Sequence, residues 1–199
     1  APPPPPETVA ITGVVADGPL QGAVACYDQN DNGMCDAGDP VSSVTDANGN
    51  YAISVAATNA GAHAVVVNVP ATAIDLTTGA AIGVALTLRA PATRNVGGQT
   101  VFVSPLSTMV QAHMDTTGAS LASAVAFVQS QAGLGVSPLA DFGGNTPEAQ
   151  QAALMARLIV LTIKELDTAM APRLGQSDGQ GGSITQTTIE RATLYAVRG

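Results

Sequence analysis

The feature that most constrains the fold is a cluster of acidic side chains that interrupts a β-like stretch of sequence. Asp28, Asp31, Asp36, Asp39 and Asp46 fall within one short segment. Carboxylates this close together repel one another unless positive charge lies between them, so a bound cation is the natural explanation. A solvated acidic loop without a ligand is the alternative that the sequence leaves open.

Residues 28–39 place oxygen-bearing groups at the spacing of a twelve-residue calcium loop. Oxygen side chains occupy the first, third, fifth, ninth and twelfth positions, which are Asp28, Asn30, Asn32, Asp36 and Asp39. Gly33 stands at the sixth position, where such a loop turns sharply, and Met34 at the seventh offers its backbone carbonyl. We therefore predict a Ca²⁺ site with these ligands, while Asp31 faces solvent or helps to balance charge.

Two cysteines, Cys26 and Cys35, flank the first part of this loop. In an oxidising compartment they can form one disulfide across a short loop, worth about 2–3 kcal/mol in the loop-entropy account. The C-x-x-C spacing of redox and zinc motifs is absent. A reduced, buried pair in a cytosolic protein is the alternative.

Charge and composition exclude several classes of function. The formal net charge is −8 and the sequence holds a single lysine, Lys164, so the basic clusters that bind nucleic acid or anionic membranes are missing. The longest apolar stretch, residues 152–163, is interrupted by Arg157, and it does not predict a membrane span. The chain starts with Ala1 and five prolines, as expected of a processed secreted protein or a shortened chain.

The first half of the chain has the alternation and punctuation of a β-sandwich. Gly18-Pro19 and Asp46–Asn50 predict turns. Between such turns lie short β-branched and apolar runs, which predict strands at residues 8–15, 22–27, 41–45, 51–56 and 64–69, with further strands at 74–76, 81–89 and 100–103.

The spacing becomes helical after Ser104-Pro105. Leu106, Met109, Val110 and Met114 share one face of a helix that ends at Gly118. Ser120 is a predicted N-cap for a second helix at 121–132, and Thr146 begins a third that runs to about residue 170. A broad apolar face is predicted on the third helix, made of Leu154, Leu158, Ile159, Leu161, Ile163 and Leu166. Residues 185–197 fit either a helix or a strand.

The predicted organisation is α+β, with an antiparallel β-sandwich first and a small helical region second. We expect a proline-rich tail at residues 1–7, a calcium-binding sandwich at 8–103 and a helical region at 104–199.

The segment Gly22–Asp28, the acidic loop and the segment Thr45–Tyr51 together resemble the prealbumin-like modules of bacterial surface proteins. Those modules include the B-repeats of serine-aspartate repeat adhesins and the carboxypeptidase-regulatory-like domains. The resemblance covers about residues 8–70 and implies a prealbumin- or Ig-like sandwich. It also implies an extracellular, structural role and the calcium ligands Asp28, Asn30, Asn32, Met34, Asp36 and Asp39.

Candidate catalytic groups are few. Ser177 lies in a G-x-S-x-G match at 175–179, but the strand and helix that flank a nucleophile elbow are not predicted there. His63 precedes a strand and His113 lies on a polar helix face, and neither has a recognisable catalytic partner in the sequence. We expect no enzymatic activity.

The sequence therefore predicts a secreted or cell-surface structural and adhesive module that calcium stabilises. Its partner is a second copy or another surface protein, and one version is a fibre built when the N-terminal strand joins a neighbour's sheet. The alternative is an accessory module that binds carbohydrate or protein within a larger secreted protein, although the scarcity of aromatic residues argues against stacking on sugars.

Overall fold

The computed structural model describes residues 6–16, 18–92, 100–170 and Pro172. The chain divides into two compact units, Ala1–Val103 and Ser104–Gly199, and each is described here by itself. The first unit is built from strands and the second from helices. This is the α+β fold that the sequence predicts.

The described part of the first unit holds ten strands and one 3₁₀ turn at Ala57–Asn59. The strands are β1 (Thr8–Val15), β2 (Leu20–Gln21), β3 (Val24–Tyr27), β4 (Val41–Val44), β5 (Asn50–Ala56), β6 (Val65–Val69), β7 (Ile74–Asp75), β8 (Ala80–Ala81), β9 (Leu86–Ala90) and β10 (Thr100–Val103). The main predicted strands are present, with the longer predicted runs at 22–27 and 81–89 shortened or divided.

The strands form two main sheets in a sandwich-like arrangement, with a small third sheet. The first has the order β10-β1-β5, the second β4-β3-β6-β9, and the small one β2-β7-β8. All pairs are antiparallel except β1 with β10. A tight hairpin cannot join parallel strands, and β1 and β10 are separated by almost the whole unit, so the parallel pair departs from the predicted antiparallel sandwich.

Burial follows the pleat of the two main sheets. In β5, Tyr51, Ile53 and Val55 are buried while the residues between them are exposed, because this strand has one face on the core and one on solvent. In β6, four of the five residues are buried. This burial on both faces of the strand fits its position between β3 and β9, inside the four-stranded sheet.

Tyr51 depends on the glycine opposite it. Gly13 pairs with Tyr51 across β1 and β5, and the Tyr51 hydroxyl donates a hydrogen bond of 2.9 Å to the carbonyl oxygen of Val101. A Cβ atom at position 13 would lie 2.0 Å from that carbonyl oxygen and 2.5 Å from the Tyr51 hydroxyl. Only glycine therefore leaves room for this contact, and burial raises the pKa of the Tyr51 phenol above its ordinary value.

The described part of the second unit contains α1 (Pro105–Thr117), α2 (Leu121–Gln131) and α3 (Pro147–Met170). The predicted end at Gly118, the predicted N-cap Ser120 and the predicted start at Thr146 are confirmed, and a capping box that was not predicted begins the first helix. Ser104 and Ser107 form a capping box at α1, and Gly118 closes that helix with a φ of 69°. Ser120 accepts from the backbone of Ser123 at the start of α2, and Thr146 accepts from the backbone of Ala149 at the start of α3.

The predicted apolar face of α3 is only partly correct. Ile159 and Ile163 are buried, together with Val160 and the alanines 149, 152 and 156. Leu154, Leu158 and Leu161 instead lie on the opposite side and are 66%, 51% and 59% exposed. Apolar residues occupy both sides of this helix, so their spacing did not reveal that the alanine side, which allows close packing, is the buried one.

The predicted element at residues 185–197 lies outside the described residues. Within the part that is described, none of the helices combines the length and the apolarity needed to cross a membrane.

Replacement of Gly13 by alanine is expected to lower the free energy of unfolding by about 1–3 kcal/mol, because the added methyl group must displace Tyr51 or the backbone of β10. Urea denaturation measures the change. Thr12→Ala, at the exposed neighbouring position of the same strand, is the matched control and should cost less than about 1 kcal/mol. Equal effects of the two substitutions would contradict the packing described for Tyr51.

Candidate functional site

The acidic loop leaves the sheet at the end of β3 and returns at the start of β4. Its two ends are joined, since the backbone N–H of Tyr27 donates to the carbonyl of Pro40 over 2.9 Å. The N–H of Asp28 donates to the carbonyl of Ala64 over 3.1 Å, which fixes the first loop residue against the residue that precedes β6. The loop thus begins and ends on fixed backbone.

Asp28, the first predicted ligand, is buried and directed into the loop. Its side chain is held by two backbone donors, because Oδ1 accepts from Asn32 over 3.1 Å and Oδ2 from Gly33 over 2.7 Å. Only 1% of the residue is exposed. A buried carboxylate with two N–H partners is satisfied as an anion and still has lone pairs to offer a cation.

The next two predicted ligands repeat this arrangement. Oδ1 of Asn30 accepts from the backbone of Asn32 over 3.2 Å, and Oδ1 of Asn32 accepts from that of Met34 over 2.9 Å. The turn needs left-handed backbone at Gly33, with a φ of 79°, and at Asp31, with a φ of 55°. Glycine adopts this conformation freely, and aspartate tolerates it better than most residues.

The second half of the loop is closed onto the first by carboxylates. Asp39 accepts from the backbone of Gln29 over 3.0 Å and from that of Asp36 over 2.9 Å. Oδ2 of Asp36 accepts from the side-chain amide of Asn30 over 3.0 Å and from that of Asn32. The amides of Asn30, first, and of Asn32 hold the pKa of Asp36 below its ordinary value, because they stabilise the charged form.

The donor set suits a hard cation, but the carboxylates are not gathered around one point. Three carboxylates, two side-chain amides and one carbonyl are the oxygen ligands that Ca²⁺ prefers. Among the described residues, no three acidic, imidazole or thiol groups lie close enough to hold a metal. Asn30 and Asn32 turn their amide nitrogens towards Asp36 and their oxygens towards backbone N–H groups, so presenting oxygen to a cation there requires a half-turn of each amide that gives up those backbone hydrogen bonds. Calcium binding by this loop stays a prediction.

The predicted disulfide between Cys26 and Cys35 is present, with Cα atoms 5.7 Å apart. Cys26 is fully buried in β3, where it pairs with Val66 of β6 and Val41 of β4. Sγ of Cys35 lies 3.7 Å from the carbonyl oxygen of Val66. The bond therefore fixes the middle of the loop to the centre of the four-stranded sheet.

Arg89 lies beneath the sharp turn of the loop, a position that was not predicted from the sequence. A Cβ atom added at Gly33 would be 3.3 Å from Cζ of Arg89, which belongs to β9 and is only 5% exposed. The available signal was a lone charged residue inside the apolar run Leu86–Ala90. A buried guanidinium here supplies positive charge below an acidic loop.

His63 links the loop to the connection between β5 and β6. Its Nδ1 lies 3.0 Å from a carboxylate oxygen of Asp31, so Asp31 has a partner besides solvent. The Tyr27 hydroxyl accepts from the backbones of Ala62 and His63 and donates to the carbonyl of Asn59. The edge of one ring faces the other between Tyr27 and His63, with centroids 5.5 Å apart. These contacts give His63 a structural position.

Of the other two catalytic candidates, the structure describes His113. His113, predicted on a polar helix face, is half-buried and stacks on Phe127 with ring centroids 3.9 Å apart. Ser177 lies outside the described residues.

An open groove of about 470 Å³ lies on the first unit beside the turn that joins β4 to β5. Thr12, Val14, Val44, Asn50 and Asp46 are among its lining residues. It is lined by residues of both main sheets, and Asp46 is its charged group. A groove of this size is within the range of small-molecule sites.

Comparison of the chain with protein-family models, with curated proteins and with solved structures finds no match.

Asp46 is expected to titrate below the ordinary aspartate pKa of about 3.9, because the side chain and backbone of Asn50 and the backbone of Asn48 donate to its charged form. The stability that this charge contributes is present above pH ~3.9 and is lost as pH falls through the lowered pKa. NMR titration of the carboxyl carbon, with urea midpoints of wild type and Asp46→Asn from pH 5 to pH 2, measures both effects.

The stability advantage of the wild type over Asp46→Asn should shrink as the solution is acidified. A titration of Asp46 at or above the ordinary value, or an advantage independent of pH, would contradict the hydrogen bonding described for this turn.

Proposed function

We propose that this chain is a calcium-stabilised, non-enzymatic structural and adhesive module of a secreted or cell-surface bacterial protein. The observation that carries the proposal is the loop itself. Its first ligand position accepts from the fifth and sixth backbone N–H groups, and its twelfth accepts from the second. These hydrogen bonds close a loop that carries six oxygen-bearing predicted ligand positions, residues 28, 30, 32, 34, 36 and 39.

Calcium acts in this proposal on stability. The loop joins β3 to β4, and an ion held between its two halves resists their separation, as the disulfide does. At millimolar calcium, a site with a dissociation constant near 10⁻⁴ M adds about 1.4 kcal/mol to the free energy of unfolding, and a site ten times tighter adds about 2.7 kcal/mol.

The extracellular assignment is supported by the disulfide, because such bonds persist in oxidising compartments. The resemblance of residues 8–70 to prealbumin-like surface modules supports the same assignment and the structural role. The sandwich-like first unit is compatible with that family proposal.

Removal of calcium is expected to lower the melting temperature by several degrees, since 1 kcal/mol corresponds to about 4–8 °C in a domain of this size. Differential scanning calorimetry in 1 mM calcium and in excess chelator measures the shift. Asp36→Asn should abolish most of the calcium-dependent shift by removing one ligand charge. Asp31→Asn is the matched control, since it removes the same charge from a non-ligand position of the same loop.

A melting temperature that is identical with calcium and with chelator would contradict the proposed site. A shift that Asp31→Asn and Asp36→Asn reduce equally would mean that the loop attracts cations only by its net charge.

The proposed partner is a second copy of the chain, and α3 offers a surface for it. Leu154, Leu158 and Leu161 follow one another at i, i+4 and i+7 and form an exposed stripe on the described helix. A contiguous apolar patch of this kind marks an interaction surface. Three leucines are far fewer than the roughly 20–30 residues a side that a stable interface uses, so this contact would add to others in an assembly.

A fibre that forms through the N-terminal strand requires an exchange. β1 pairs with β5 from Thr8 to Val14 and with β10 from Thr12 to Val15, so within the described residues Thr12 to Val14 is paired on both edges and cannot join a neighbour's sheet without leaving its own. The prolines that precede it have no N–H to donate to a neighbour's ladder. The fibre version therefore takes the form of β1 leaving its own sheet for the equivalent place in the next copy.

Leu158→Ala with Leu161→Ala is expected to lower the mean particle mass, because the substitutions remove most of the exposed apolar area of the stripe. Light scattering across a concentration series in calcium measures it. Arg157→Ala removes an exposed charged side chain beside the stripe while it keeps all three leucines, so it should lower the mass much less. A wild-type chain that stays a monomer at every concentration would sink the self-assembly proposal and leave the calcium site untouched.

The alternative is an accessory module that binds a ligand, and the groove of about 470 Å³ favours it. Tyr51 is the aromatic residue that lines this groove, and it is buried with its hydroxyl bonded to Val101. A polar ligand of peptide type fits such a lining better than a sugar that must stack on an aromatic face.

A further inference from the structure

The disulfide lies inside the proposed calcium site. Cys26 comes two residues before Asp28, and Cys35 lies between Met34 and Asp36. The bond has a sequence separation of 9, so the closed ring contains the first, third, fifth and seventh ligand positions, and the ninth is adjacent to it. We propose that this disulfide sets the calcium affinity by holding the loop in its binding conformation before the ion arrives. This inference rests on the proposed calcium function.

One end of the bond is attached to an inner strand of the four-stranded sheet. Cys26 is fully buried in β3, which lies between β4 and β6 in the four-stranded sheet. Sγ of Cys35 contacts the carbonyl of Val66, opposite Cys26 on the neighbouring strand. The loop residue is therefore positioned against core backbone.

The other contacts of the loop leave the Met34 side of Cys35 largely to the disulfide. Asp28 holds the backbone N–H groups of Asn32 and Gly33, and Asp39 holds those of Gln29 and Asp36. The backbone of Met34 makes one hydrogen bond, from its N–H to Oδ1 of Asn32, and the side chain of Asn32 is itself a predicted ligand. The carbonyl of Met34 is thus placed chiefly by the covalent bond, whereas Asp36, on the other side of Cys35, is also held by its hydrogen bonds to Asn30, Asn32 and Asp39.

The packing of Gly33 against Arg89 supports the same conclusion. The loop turns directly over this buried guanidinium, with a Cβ at Gly33 only 3.3 Å from Cζ of Arg89. When the disulfide holds Cys35 against Val66, both sides of the turn contact the four-stranded sheet. Without the bond, only the Gly33 side keeps a close contact with β9.

The size of the effect follows from chain entropy. Closing a ring of about ten residues restricts the open chain by an amount equivalent to about a hundredfold in an equilibrium constant. Part of that restriction is already imposed where the loop joins β3 and β4. We therefore expect loss of the disulfide to weaken calcium binding by roughly tenfold, with a hundredfold as the upper bound.

Calorimetric titration of calcium into chelator-stripped full chain tests the inference. The variants are Cys35→Ala, which leaves the buried Cys26 side chain in place, and Cys26→Ala with Cys35→Ala. Gln29→Ala is the matched control, because it shortens an exposed, non-ligand side chain inside the ring closed by the disulfide and keeps both the bond and the backbone N–H that donates to Asp39. Wild-type protein reduced with a phosphine is a further sample with no side chain changed, and circular dichroism checks that each sample is folded.

We expect roughly tenfold weaker binding for both cysteine variants and for reduced wild type, and unchanged binding for Gln29→Ala. Wild type that binds calcium while the folded variants and the reduced chain bind equally well would overturn this inference and leave the calcium function standing. Wild type that binds no calcium would overturn both.

Hydrogen exchange in chelator gives a readout that needs no metal. The backbone N–H groups of Met34 and Asp36, which bond to loop side chains, should exchange faster without the disulfide, whereas that of Tyr27 should not change. Equal exchange at Met34 and Asp36 with and without the bond would show that the loop is held by its other contacts and would contradict the proposal.

Discussion

Strand β3 and the loop that follows it form the constraint on which the first unit depends. β3 pairs with β4 and β6, carries the buried half of the disulfide and ends at the first residue of the acidic loop. The backbone hydrogen bond from Tyr27 to Pro40 closes the base of the loop. The strands β3 and β4 therefore stay paired although the twelve-residue loop separates them in the sequence. The same few bonds therefore hold the loop in its conformation and keep the strands of the sheet together.

The loop manages its negative charge without leaving carboxylates unpartnered. Asp28, Asp36 and Asp39 accept hydrogen bonds from backbone and amide donors, Asp31 pairs with His63, and Arg89 lies beneath the turn. Such a loop can keep its shape while its interior oxygens remain able to accept a cation. Stability without the ion and affinity for it then depend on how firmly the two halves are held together, which the disulfide governs in our account.

The sequence was informative wherever a signal is local. The predicted N-cap Ser120, the helix start at Thr146, the left-handed Gly33 and Gly118, and the alternation along β5 all identified their elements directly. Non-local features were out of reach. The parallel pairing of β1 with β10 depends on a distant strand, and the contact of Gly33 with Arg89 joins residues more than fifty positions apart. On α3, apolar residues on two sides left the choice of buried face to tertiary packing.

A crystal structure of the full chain grown in millimolar calcium tests the central claim most directly. The account predicts one ion at 2.3–2.6 Å from oxygens of Asp28, Asn30, Asn32, Met34, Asp36 and Asp39, with the Asn30 and Asn32 amides turned to present oxygen. A loop that holds no ion in such crystals, and that keeps both amide nitrogens on Asp36 as described here, would contradict it.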